Sequence, residues 1–147
     1  MALLVRQAMT EAPETATPDM SAADAAQLMR KVDTGVIPVA EGDQLRGLVT
    51  DRDIVVRVVA ERNDPDEVRL SDIMTESTVT IAPDDPLSDA RDLMAERRIR
   101  RLPVIEGGRL VGIVSMGDIA VHDESKSEVG QTLEDVSESE STRDLNT

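Results

Sequence analysis

Two stretches place a hydroxyl three positions ahead of a carboxylate: Thr50-Asp51-Arg52-Asp53 and Ser115-Met116-Gly117-Asp118. Such a pair can close a helix start, with the hydroxyl accepting from a backbone N–H and the acid reaching back. A carboxylate held there can also accept charge-assisted hydrogen bonds from a ligand. The two roles are compatible, because the cap positions the acid. Arg97, Arg98, Arg100 and Arg101 gather ahead of Pro103, and Arg52 sits inside the first motif. A guanidinium fork suits phosphate oxygens, but a cation at a helix end also suits the dipole, and surface acids can pair with it. No nucleophile–base set accompanies these residues. The chain has no cysteine and a single histidine, His122. No catalytic residue and no metal ligand is therefore expected, and a carboxylate-based hydrolase ranks last among the functions considered.

Composition narrows the partners. The net charge is -14, which repels phosphate backbones and anionic membranes. Phe, Tyr and Trp are absent, so there is no platform on which single-stranded bases could stack. Nucleic acid and membrane are not expected partners. No apolar run approaches the length of a membrane span, and the chain turns polar too soon after its start for a signal peptide. Cytoplasmic residence is expected.

The elements that position the two motifs come from a duplication. With Val5 set on Leu70, positions 5–54 fall on 70–119 without a gap, and 19 of these 50 pairs are identical. Composition alone would not place that many matches in one frame. Each copy reads as β-α-β-β-α. Short strands are expected at 14–17 and 78–81. Helical spacing follows at Ala22, Ala25, Ala26, Met29 and Val32, and at Leu87, Ala90, Leu93 and Met94. Ser21 and Pro86 mark the helix starts. Hairpins are expected over 36–40 with 44–49 and over 101–105 with 109–114, turning at glycine. Second helices are expected over about 51–62 and 116–121. The domains are then 1–62, a linker at 63–69, 70–122, and an acidic tail at 123–147 with a short helix at 126–137. One copy is too small to bury both helix faces. Two copies packed sheet-to-sheet with pseudo-twofold symmetry would complete an α/β (α+β) fold.

Ala8-Met9-Thr10 with Ile73-Met74-Thr75, Val36-Ile37-Pro38-Val39 with Leu102-Pro103-Val104, and the two Gly-to-Asp-Ile closing segments recur in one order. In this the chain resembles tandem CBS (cystathionine beta-synthase) domains over about 5–121. It is similar in particular to small stand-alone actinobacterial CBS-pair proteins of the hypoxic response type. The resemblance implies a regulatory pair, not an enzyme. It would bind AMP, ADP, ATP, NAD or S-adenosylmethionine in clefts between the repeats, often as a homodimer, and signal to a separate effector protein. The adenine nucleotide would be a regulatory ligand, with no catalytic cofactor. By the same resemblance Asp53 and Asp118, with Thr50 and Ser115, would hold the ribose. Phosphate would fall to Arg52, Arg98 or Arg100. The adenine pocket would draw on Thr15, Val36, Ile37, Pro38, Thr80, Arg101, Leu102 and Pro103, residues that strands and core would also need. The copies differ at Thr34-Gly35-Val36 against Ile99-Arg100-Arg101 and at Asp51-Arg52 against Met116-Gly117, so two unequal sites are expected. The alternative is a ligand-free protein–protein adaptor or stress protein.

Overall fold

The computed structural model describes residues 3–76 and 79–122. The acidic tail and its expected helix at 126–137 lie outside the described residues. In chain order the elements are α1 (Val5–Ala8), β1 (Thr10–Glu11), α2 (Ala22–Val32), β2 (Val36–Glu41), β3 (Gln44–Thr50) and α3 (Asp51–Ile54). Then come α4 (Leu70–Ile73), α5 (Leu87–Arg97), β4 (Arg101–Glu106), β5 (Arg109–Ser115) and α6 (Met116–His122). Helix and strand are mixed as expected, with one sheet ordered β1-β5-β4 and another made of β2 and β3.

Local chemistry accounts for the central elements. Ser21 accepts from the Asp24 N–H at 3.1 Å and starts α2. The buried face of α2 is Ala22, Ala25 and Met29, and that of α5 is Leu87, Ala90 and Met94. Both helices end in a left-handed residue, Asp33 (φ 55°) and Arg98 (φ 57°). Gly42 and Gly107 supply the positive φ that the hairpin turns need.

Two expected elements take another form. Among the described residues, which leave out 78, the strands expected at 14–17 and 78–81 shrink to single parallel bridges, Ala16 to Val39 and Ile81 to Val104. Pro18 and Pro83, with no N–H to donate, follow two positions later and stop the ladder. The helix expected over 51–62 is α-helical only to Ile54. It continues as a π-helical turn over Val55–Val59, with Ala60 N–H donating to the Val55 carbonyl at 2.8 Å. Val58 thereby reaches the core while Val55, Val56 and Val59 stay exposed.

Two compact units form, and they do not follow the linear copies. The early unit gathers 13–76 and 108–110; the late unit gathers 3–12, 79–107 and 111–122. The copies exchange their leading segments. In the late unit Val5 N–H donates to the Asp85 carbonyl, Arg6 N–H to Pro83 and Leu87 N–H to Leu3, at 2.7 to 2.9 Å. In the early unit Leu70 N–H donates to Met20, Ser71 N–H to Pro18 and Ala22 N–H to Val68, at 2.8 to 2.9 Å. These are the same bonds in the register that sets Val5 on Leu70. Each core depends on the borrowed helix: Val5 and Ala8 join Leu102, Val104 and Ile119, and Leu70 and Ile73 join Ile37, Val49 and Val58.

Buried glycines admit the borrowed segments. A Cβ on Gly47 would stand 2.6 Å from the Thr75 carbonyl oxygen, and one on Gly112 would stand 2.9 Å from that of Thr10. Leu48 and Thr75 exchange two backbone hydrogen bonds at 2.9 Å, and Thr10 pairs with Ile113 in β1–β5. The Met-Thr-Glu match between copies is thus the edge on which each leading segment docks.

Candidate functional site

Each hydroxyl–acid pair stands where a strand hands over to a helix. Thr50 ends β3 and caps α3: its Oγ1 accepts from Asp53 N–H at 3.1 Å, and Asp53 Oδ2 accepts from Thr50 N–H at 2.9 Å. Ser115 and Asp118 repeat this at the start of α6, with the same 3.1 and 2.9 Å. The capping role is therefore realised in both copies. It fixes each carboxylate through one oxygen. On Asp53 the other oxygen, Oδ1, lies 3.8 Å from the Arg57 Nε. The Asp53 side chain keeps 13% of its surface exposed, so a ligand's hydroxyls can still reach it.

In the early unit, β2 and β3 pair with Val36 opposite Thr50 and Ile37 opposite Val49. Thr34 Oγ1 accepts from Val36 N–H at 3.3 Å. Asp51 N–H donates to the Gly35 carbonyl at 2.9 Å, which draws the first turn of α3 against the start of β2. The side chains of Val36, Ile37 and Pro38 are buried in the core, so what they can offer a ligand is backbone. Thr15 is exposed just ahead of the Ala16 bridge, and Arg52 is exposed on α3. The early unit thus contains Thr15, Val36, Ile37, Pro38, Thr50, Arg52 and Asp53.

The late unit contains Thr80, Arg98, Arg100, Arg101, Leu102, Pro103, Ser115 and Asp118. Met116 N–H donates to the Arg100 carbonyl at 2.9 Å, the counterpart of the Asp51–Gly35 bond. Arg100 therefore stands at the junction that carries Asp118. Arg98 is an exposed helix cap with a left-handed backbone. Leu102 and Pro103 are buried, Arg101 is half-buried, and Thr80 is exposed.

An open depression of about 460 Å³ lies in the early unit between the end of α2 and the start of α3. Arg30, Asp33, Thr34, Gly35, Asp51 and Ile54 are among its lining residues. No residue singled out as ribose, phosphate or adenine contact lines it. The sequence signal was present, because Thr34-Gly35 and Asp51 are among the positions where the copies differ. Gly35 brings the backbone close to this acid: a Cβ would stand 2.9 Å from Asp51 Oδ2, the end of an exposed side chain that can move aside. Arg57 is a second residue that the motifs did not reveal.

The CBS domain family model matches 5–60 and 70–124. The CBS domain-containing protein YhcV of Bacillus subtilis is 39% identical over 133 residues, covering 90% of this chain and 94% of its own. Hypoxic response protein 1 of Mycobacterium tuberculosis is 38% identical over 99 residues, covering 67% and 69%. A crystal structure of Hypoxic Response Protein I with two coordinated zinc ions superposes with a TM-score of 0.76 and 32% identity, covering 82% of this chain and 99% of that one. The zinc is a feature of that protein. Among the described residues here, no group of three or more His, Cys, Asp or Glu is arranged to hold a metal. The CBS domain pair of protein MJ0100, in complex with 5-methylthioadenosine and S-adenosyl-L-methionine, gives a TM-score of 0.71 at 27% identity, covering 81% and 98%. Two matched segments, a duplicated hydroxyl–acid junction and a relative matched over 90% of this chain agree: the chain is a tandem pair of CBS domains and belongs to the CBS domain family.

Proposed function

We propose that the pair is a cytoplasmic, non-catalytic sensor of an adenine nucleotide or adenosyl compound that works as a homodimer and signals to a separate effector protein. The observation that carries this is the pre-set carboxylate at each strand–helix junction. Asp53 and Asp118 are locked by their caps at one oxygen. Lone pairs remain for a vicinal diol, which one carboxylate can accept as a pair of charge-assisted bonds. The adenosyl ligands of the MJ0100 pair are of the matching chemical class. Arg52 supplies phosphate charge at the first junction, and Arg98 or Arg100 at the second. Ligand bound at the junctions acts by preferring one of two states of the pair. AMP, ADP, ATP, NAD and S-adenosylmethionine are the candidates.

Calorimetric titration with AMP, ATP, NAD and S-adenosylmethionine tests this. Asp53→Asn or Asp118→Asn should weaken binding about 10- to 100-fold, the worth of charged hydrogen bonds converted to affinity. Unchanged affinity in both variants would refute the ribose assignment. No binding of any of these compounds at millimolar concentration would favour the adaptor reading. That alternative draws on the exposed Val55, Val56 and Val59 of the early unit and the exposed Val121 of the late unit.

A further inference from the structure

We propose that Arg57 is a positioning residue for Asp53, tying the first-copy ribose carboxylate to the borrowed helix α4; this rests on the ribose assignment above. Three observations place it there. Arg57 Nε lies 3.8 Å from Asp53 Oδ1, the oxygen that the cap leaves over. Its Nη1 donates to the Ile73 carbonyl at 3.4 Å. Ile73 is the last residue of α4, where a short helix leaves carbonyls without partners inside the helix. One guanidinium therefore touches the acid and the segment that completes the early core. Arg57 also sits on the π-helical turn, a form often kept at functional positions.

The consequence is orientation as well as charge. Asp53 is held through Oδ2 by Thr50 N–H and faces Arg57 through Oδ1. Rotation of the carboxylate, which would misalign both acceptors toward a diol, is opposed from two sides. The second copy is built otherwise. In the register that sets Asp53 on Asp118, the place of Arg57 is held by His122, exposed at the end of a plain α-helix. Among the described residues, the tie belongs to the first site alone. A ligand that pulls on Asp53 pulls on α4, whose Leu70 is fully buried.

The test compares AMP and ATP with their 2′,3′-dideoxy analogues by calorimetry on the full chain. Arg57→Gln should weaken AMP or ATP about 3- to 10-fold at the site that Asp53→Asn disables, and should leave the dideoxy analogue unchanged. Arg57→Lys should restore part of the loss, because an ammonium keeps charge but lacks the fork that spans both acceptors. Arg57→Gln added to Asp53→Asn should cost nothing more. Thermal unfolding without ligand checks that the variants are folded; the Arg57 side chain is half exposed, and the substitution leaves no cavity. Should Asp53→Asn weaken binding while Arg57→Gln does not, or weakens the dideoxy analogue equally, the positioning role is overturned and the ribose assignment stands. Where NAD or S-adenosylmethionine proves to be the ligand, the same variants are titrated with it; if Asp53→Asn changes the affinity of no adenosyl compound, the ribose assignment at the first site fails and the role of Arg57 fails with it.

Discussion

Gly47 lies against Met74 and Thr75, and Gly112 against Met9 and Thr10. The same backbone bond joins Gly35 to Asp51 and Arg100 to Met116, but the side chains there differ: Gly35 lies against the Asp51 carboxylate, where the second copy has Arg100 and Met116. The copies agree where one main chain docks on another and part company at the strand–helix mouth. The agreement is a steric demand, since no side chain fits at Gly47 without moving a carbonyl. The mouth carries no such demand, so its charge could diverge: an acid and a glycine in one copy, an arginine and a methionine in the other. One scaffold therefore presents two chemically different junctions.

Substitutions at paired positions can break or sharpen this contrast. The largest effects should come from the borrowed helices. Leu70→Ala should destabilise by about 3 kcal/mol and Val5→Ala by about 2 kcal/mol, since both side chains are fully buried. Denaturant titration would show it, and a negligible cost for either would mean that its unit does not need the exchange. Next, Gly47→Ala should cost about 2 kcal/mol and Gly112→Ala about 1 kcal/mol. The Cβ on Gly47 meets backbone oxygen at 2.6 Å, whereas the one on Gly112 first meets the movable Met9 sulfur at 2.7 Å. Equal shifts in melting temperature would contradict that distinction.

A smaller change of opposite sign is expected at the helix ends. Arg98→Gly should stabilise by about 1 kcal/mol by removing a left-handed strain, and Asp33→Gly by less, because aspartate tolerates that conformation. The smallest effect concerns acid. Asp19 is held below the usual carboxylate range, first by a hydrogen bond from Thr17, with Arg69 assisting. A carboxyl with a lowered folded value adds stability above its unfolded pKa, near 3.9, and loses it as pH falls through the folded value. Ala82 stands where the second copy would need that threonine, and Asp84 instead pairs with Arg6 at 2.8 Å. Thr17→Ala should therefore flatten part of the acid limb of stability below the unfolded carboxylate pKa. An unchanged limb would show that Asp19 is not held by Thr17.

Helices α2 and α5 and both hairpins were legible because their signals are local: Ser21, the apolar spacing through Met29 and Met94, and a glycine at each turn. The hydroxyl–acid junctions were legible for the same reason, since a cap joins groups only three positions apart. Helices α1 and α4 were not. Each has four residues, too few to show a period, and each is fixed by partners far along the chain, as Val5 is by Asp85. The π-helical turn was hidden too, because a run of valines is compatible with either helix width. Arg57 was not legible either, because its meaning depends on Ile73, 16 residues away.

The reciprocal exchange also orders assembly in time. A chain made in the N-to-C direction holds nearly all of the early unit once residue 76 is out. Val5 and Ala8 must wait for Ile81, Leu87 and Leu102, so α1 finds its place only after the early unit is out. Closing so long a loop slows folding. Until it closes, α1 keeps an uncovered apolar face that the same slot in another growing copy could capture. Speed of closure, as much as final stability, then decides whether the pair forms within one chain.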